Sequence, residues 1–319
     1  MAWGEAVSAL RNALSDYLDI RRALGFKLRD AGTRLEKFVR FMEAKGEPVI
    51  KTHLAVTWAQ SDKAILPAGW AANLSHVRLF AQYCSGIEPL TEVPPTGILS
   101  SHYQRKSPYI FTLKQIRDLL DAASGLTPRS GLRPRTYVTL FGLLAATGLR
   151  VSEVVGLERD AVDQARGLIE VRSTKFNKTR LVPISESTMD ALQAYARMRD
   201  KLLPNPITPW FFVAPRGGPI YTRPLKVVFI ELSRQIGLRG PTDHFGPRLH
   251  DLRHSFAVAT LLRWYRAGHD VEQKLPQLST YLGHSHPSDT YWYLSAVPEL
   301  LAEATFRLEK SKEGKHRAT

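Results

Sequence analysis

Five separated segments in the second half of the chain hold residue types suited to gripping and attacking a negatively charged group. In ATGLRVSEVVGL, Arg150 follows Gly148, where an apolar helix must turn. A permanent charge beside a core helix is costly without a partner, and Glu153 or Glu158 can supply one. In RSTKFNKTRLVPI, Lys175 falls at the start of a turn, with Lys178 as a nearby competitor. An ammonium there either reaches into a cleft or stays in solvent. In RLHDLRHSFAVATLL, His250 and Arg253 are three residues apart and share a helix face. That face joins a proton-transfer group to a bidentate phosphate donor. In YLGHSHPSDT, His284 follows Gly283 at a helix end, where its imidazole either projects outward or caps the last carbonyls. In DTYWYLSAV, Tyr291 and Tyr293 belong to an aromatic cluster of the kind that usually fills a core.

Two of these segments also admit a metal. His250 and His254 are spaced i, i+4, like the ligands of a zinc-protease helix with Asp251 in place of the usual glutamate. Against this, the general-base position carries the shorter acid, and Arg253 would put a fixed positive charge beside the cation. His284 and His286 form a second pair, with no cysteine nearby and no evident acidic third ligand. The residues therefore favour a site with neither metal nor cofactor.

The elements that must position these groups can be read from periodicity. In the first 88 residues, Leu10, Leu14, Tyr17 and Leu18 recur at helical spacing, as do Leu35, Phe38, Val39 and Met42. Val56, Trp58 and Ala59 mark a third helix, and Trp70, Leu74, Val77, Leu79, Phe80 and Tyr83 a fourth. Gly46 and Gly86 stand where helix C-caps are expected. Residues 89–108, with Pro89, Pro94, Pro95 and Gly97, predict a linker. A second domain follows over 109–319. Thr112 to Gln115 has a capping-box pattern, and a buried helix spans about 135–147. A short helix is expected over 152–156 and a β-hairpin over 168–184. Helices are then expected over 186–203, 223–236, 250–267 and 272–282. A further helix begins near 298 and leads into a basic tail. The fold class is mainly α with a small antiparallel sheet: a helical N-terminal domain and a mixed catalytic domain.

Composition narrows the class. The 319 residues are 44% hydrophobic and 23% charged, which fits a globular protein and excludes disorder along the whole chain. The net charge is +14, and residues 1–100 hold 12 Lys and Arg against 10 Asp and Glu. Most of the excess therefore lies beyond residue 100, and it favours a polyanionic partner. Cys84, the one cysteine, cannot form an intramolecular disulfide. The N-terminus lacks the pattern of a signal peptide, and the apolar run from Tyr137 to Leu149 is too short to span a bilayer. A cytoplasmic protein with no membrane partner is expected.

In order and type, the five segments resemble the tyrosine recombinase family, which includes phage integrases and the bacterial Xer recombinases. The resemblance rests on ATGLRVSEVVGL, the lysine hairpin ending in TRLVPI, HDLRHSFA, LGH, and a tyrosine nine residues after that histidine. It covers about residues 109–300. The N-terminal helices resemble the family's core-binding domain in architecture only.

The resemblance implies a mechanism. A tyrosine hydroxyl attacks a DNA phosphodiester, forms a 3′-phosphotyrosyl link and frees a 5′-hydroxyl, and a second 5′-hydroxyl reverses the step. By motif position, Arg150 and Arg253 clamp the non-bridging oxygens and Lys175 protonates the leaving oxygen. His250 is the general acid/base, His284 donates to the phosphate, Tyr293 is the nucleophile, and Glu153 supports the site. The hairpin departs from the family's simplest pattern, since STKFNK stands where many relatives have a Gly-Lys-Gly turn. Two arginines can stabilise the transferring phosphoryl group without a metal. Ionising a free tyrosine at neutral pH costs about 4 kcal/mol, which neighbouring cations or a proton acceptor can offset.

The partners implied are a double-stranded DNA recombination site, further copies forming a tetrameric synapse, and partner recombinases. The role expected is integration or transposition of a mobile element. Resolution of replicon dimers, a catalytically inert DNA-binding relative and a type IB topoisomerase are the alternatives. The C-terminal helix either docks on a neighbouring protomer or folds back on its own domain.

Overall fold

The computed structural model describes residues 2–99, 107–128, 131–172, 179–204, 208–296, 300 and 305. The chain divides into two compact units, 1–105 and 106–319.

The first unit is built from four helices: α1 (Ala2–Ala23), α2 (Arg29–Lys45), α3 (Thr52–Ala59) and α4 (Pro67–Ser85). Their apolar stripes meet in one core that includes Leu14, Tyr17, Leu35, Phe38, Met42 and Phe80. Pro67 opens α4, where its missing N–H costs nothing. Gly46 ends α2 in the left-handed region at φ 69°, whereas Gly86 ends α4 with ordinary right-handed geometry. Leu79, counted above with the inward stripe of α4, lies on its outer face. Cys84 is buried, and burial pushes its thiol up to about 12.

The proline-rich stretch that reads as a linker is fastened to this unit along its first part. The Glu92 amide donates to the Ile50 carbonyl at 2.8 Å, and Lys51 pairs with the Glu92 carboxylate at 3.3 Å. Arg78 donates to the carbonyls of Pro94 and Pro95 at 2.7 and 2.8 Å. Proline cannot donate, but its carbonyl remains a full acceptor.

The second unit begins with α5 (Leu113–Ser124), α6 (Leu132–Thr147) and α7 (Val151–Val155). Both bonds of the Thr112–Gln115 capping box are made. A three-stranded antiparallel sheet follows, with β1 (Val162–Asp163), β2 (Leu168–Val171) and β3 (Arg180–Pro183) in that order. Ile169 opposes Val182, and both are buried, while Leu181 faces solvent, as alternation in a one-sided sheet requires. The remaining helices are α8 (Glu186–Leu202), α9 (Thr222–Gln235), α10 (Leu249–Arg266), α11 (Val271–Leu282) and α12 (Ser288–Ala296). The protein is therefore mainly α-helical with one small antiparallel sheet.

Helix α10 is the shared wall of this unit. Leu249 and Leu252 join the larger core with α6, α8 and α9. Ala257, Val258 and Leu261 join a second core with α11, Tyr293 of α12 and Leu300. Leu300 is thus buried against its own unit, while nearly all of the chain beyond it lies outside the described residues. No helix among the described residues is long and apolar enough to cross a membrane.

Candidate functional site

The C-terminal ends of α6 and α11, the N-termini of α7 and α10, and the start of β3 converge on one junction. Gly148 ends α6 at φ 62°, a region closed to most side chains, and a Cβ there would lie 2.6 Å from the Phe256 ring. Gly283 ends α11 in the same way at φ 68°. These two turns bring their helix-end carbonyls into the junction, where guanidinium groups satisfy them.

Arg253 is 2% exposed. It donates to the Gly148 carbonyl at 2.8 Å and to the Leu282 carbonyl at 2.7 Å. Burial, with Arg150 adding to it, lowers its pKa to about 10, which still leaves it charged at neutral pH. Arg150, the N-cap of α7, donates to the Gly283 carbonyl and to Glu153 Oε1 at 2.8 Å. Its backbone amide donates to Glu153 Oε2 at 2.9 Å.

Glu153 is the hub. Arg180 grips both its oxygens, Nη1 to Oε1 at 3.0 Å and Nη2 to Oε2 at 2.8 Å. Arg180 Nε reaches the Tyr281 carbonyl at 2.9 Å. Burial works to raise the Glu153 carboxyl, but Arg180 and then Arg150 outweigh it and hold it below its ordinary value. One carboxylate thus serves two guanidinium groups, leaving a positive excess with Arg253 alongside.

His250 opens α10 on the rim of a cavity of about 460 Å³. Arg150, Ser152, Lys226, Arg239 and Arg248 also line it. The His250 residue keeps an exposed surface, yet its ring sits low enough for lost hydration, then Arg253, to push its pKa down to about 4. At neutral pH it is an uncharged imidazole.

Tyr293, on α12, packs against α10 beside His254. Residues 288–296 are helical, so Tyr291 and Tyr293 point different ways: Tyr291 is 46% exposed and Tyr293 is 1% exposed. The Tyr293 hydroxyl bonds His254 Nδ1 at 2.7 Å. The His284 ring stacks near the Tyr293 ring with centroids 6.5 Å apart, and His284 Nδ1 bonds the buried Thr290 hydroxyl at 2.7 Å. The His250 and His254 rings meet edge to face at 4.7 Å.

The structure therefore brings Arg150, Glu153, His250, Arg253, His284 and Tyr293 to one region around the start of α10. Lys175 and Lys178 lie outside the described residues. Two residues that spacing left without a role are prominent here. His254, weighed above only as a metal ligand, holds the tyrosine; Arg180, inside the TRLVPI segment, joins Glu153 to α11. The signal for His254 was present in its i, i+4 relation to His250. Nothing in the local pattern of Arg180 pointed across the fold to Glu153. Among the described residues, no group of three His, Cys, Asp or Glu side chains is placed to hold a metal ion.

The description "Phage integrase family" matches residues 110–299, more than half of the chain. The chain belongs to that family. Its members are the tyrosine recombinases, enzymes that cleave and transfer DNA strands, and this protein is one of them. It is 44% identical over 311 residues to y4rB of Sinorhizobium fredii, named as an integrase/recombinase, with 96% of this chain and 99% of that one covered. It is 30% identical over 308 residues to the tyrosine recombinase XerD of Brucella abortus, covering 93% and 92%. Among solved structures, the Tn1549 transposon integrase with transposon right end DNA shares the fold at TM-score 0.64 and 18% identity, covering 94% of this recombinase and 99% of that chain. The XerH site-specific recombinase on a palindromic difH substrate does so at TM-score 0.65 and 18% identity, covering 88% and 79%.

Proposed function

We propose that this recombinase cuts and rejoins double-stranded DNA at a specific site through a 3′-phosphotyrosyl link to Tyr293, in the service of a mobile element. The observation that carries the reading is the meeting of Arg150, Arg253, His250, His284 and Tyr293 around one helix start. A phosphodiester entering the cationic cavity meets the Arg150 guanidinium on its lining, and Arg253 is held at the same helix junction. As the phosphorus passes through its transition state, negative charge spreads over the oxygens, and donors already held in place stabilise it without reorganising. His250, an uncharged imidazole at neutral pH, is placed to hydrogen-bond the phosphate at the cavity rim, and His284, braced by Thr290, to donate to a phosphate oxygen. Lys175 is assigned to protonate the leaving 5′-oxygen.

In the first unit, Arg21, Arg22, Lys27 and Arg29 lie near the turn between α1 and α2 and are either phosphate contacts or a solvated face. Four copies assembling on two sites would allow strands to exchange. The mobile-element role is supported by the 44% identity to a protein named as an integrase/recombinase, against 30% to XerD.

The test is a nicked suicide duplex carrying the element's end, on which cleavage traps the covalent complex. The wild-type adduct should map to Tyr293 and vanish in Tyr293→Phe while surviving in Tyr291→Phe. An adduct that persists in Tyr293→Phe overturns the assignment. Strand exchange between two end sequences, rather than relaxation of supercoils alone, separates recombination from a topoisomerase.

A further inference from the structure

The Tyr293 hydroxyl bonds His254 Nδ1 at 2.7 Å. We infer that His254 is a further catalytic residue, the proton acceptor that turns the Tyr293 phenol into the attacking phenoxide. The inference rests on Tyr293 being the nucleophile.

Three features of the geometry point to it. The contact is a buried O–H to imidazole bond of 2.7 Å, between residues 1% and 5% exposed, so water does not compete for the phenol proton. The far nitrogen of the same ring, Nε2, faces the buried Asp251 carboxylate, with Oδ1 at 4.0 Å. A carboxylate on that side favours the tautomer with hydrogen on Nε2 and a lone pair on Nδ1, the form able to accept from tyrosine. It also stabilises the imidazolium once the proton arrives, as an acid does behind any histidine base. Asp251 is itself fixed, accepting from the Arg248 amide at 2.7 Å and from its guanidinium at 2.8 Å. Finally, Trp292 flanks the ring on the α12 side at 5.8 Å, and His250 on the α10 side, so the imidazole is held in register with the phenol.

The step balances. The Tyr293 O–H bond breaks and its proton passes to His254 Nδ1. The freed oxygen pair forms the bond to phosphorus, the bond from phosphorus to the 5′-oxygen breaks, and that oxygen leaves with the proton assigned to Lys175. In rejoining, the imidazolium returns its proton to the departing phenol oxygen. The charged groups beside the pair are Asp251 and Arg253 and the titratable ones His250 and His284, and the Arg253 guanidinium and the phenol bear on each other electrostatically.

The experiment measures single-turnover cleavage of the suicide duplex by the full-length protein, with tyrosine or 3,5-difluorotyrosine at position 293. The second phenol is more acidic and depends less on a base. His254→Ala is expected to slow cleavage on the order of 100-fold, the usual worth of a positioned base. His254→Gln keeps an acceptor for the phenol but cannot take its proton, so it should be slowed comparably while binding the duplex normally. Difluorotyrosine should restore about 10-fold in both variants, in keeping with partial dependence of rate on phenol acidity, and change the wild-type rate little. Cleavage by His254→Gln at the wild-type rate would reduce His254 to a tether and overturn the inference. So would equal losses with the two phenols. An adduct formed by Tyr293→Phe would instead sink the nucleophile assignment on which the inference stands, and the two failures are therefore distinct.

Discussion

The arginine–carboxylate junction and the tyrosine corner both adjoin the first turns of α10, and they are built on different principles. At the junction, four main-chain carbonyls and one carboxylate tie three guanidinium groups to α6, α7, β3 and α11. At the corner, one hydroxyl docks on one imidazole from a helix of nine residues. Shifting the first would leave buried charge without partners, whereas shifting the second costs a single hydrogen bond and some apolar contact. On the proposed reading, the phosphate grip would be held by charge and the nucleophile by a neutral hydrogen bond and the burial of its ring.

That contrast can be broken experimentally. The largest effect belongs to Tyr293→Phe, which should abolish the covalent adduct while leaving duplex binding intact; reduced binding as well would mean that the corner also supports the grip. Glu153→Gln should cost about 3 kcal/mol of stability in a denaturant titration, because it leaves Arg150 and Arg180 without their shared carboxylate. A loss near zero would show the junction to be far looser than its bonds imply. Gly148→Ala should cost about 2 kcal/mol by the same titration, from the positive φ and the contact with Phe256. Thr290→Val should cost about 1 kcal/mol and slow cleavage modestly by freeing His284 from one partner.

The smallest effect is in pH. His250 titrates at about 4 in the folded protein and near 6.5 when unfolded. Between those values the unfolded chain binds more protons, so stability is full above about pH 6.5 and declines as pH falls toward 4. Replacing His250 with Gln should flatten that part of a stability–pH curve. An unchanged slope would place the titrating group elsewhere.

What the sequence disclosed follows the range of the forces involved. The β2–β3 pairing was legible because alternation is local, and the α5 start because a capping box is complete within four residues. Arg150 and Glu153 were legible as a pair for the same reason. Arg180 was not, because its partners Glu153 and Tyr281 lie 27 and 101 residues away. His254 was visible but left without a role: helical spacing showed that it shares a face with His250, and only the placement of α12 showed what that face meets. At Pro94 and Pro95, composition reveals a missing donor and hides the acceptor that Arg78 uses.

The hold on Arg253 has a consequence for how such a chain can change over generations. Both of its described partners, at Gly148 and Leu282, are peptide oxygens, which every amino acid carries. No exchange of a neighbouring side chain can delete them. Apart from the glycine turns at Gly148 and Gly283, the surrounding sequence can therefore diverge while the guanidinium stays in place.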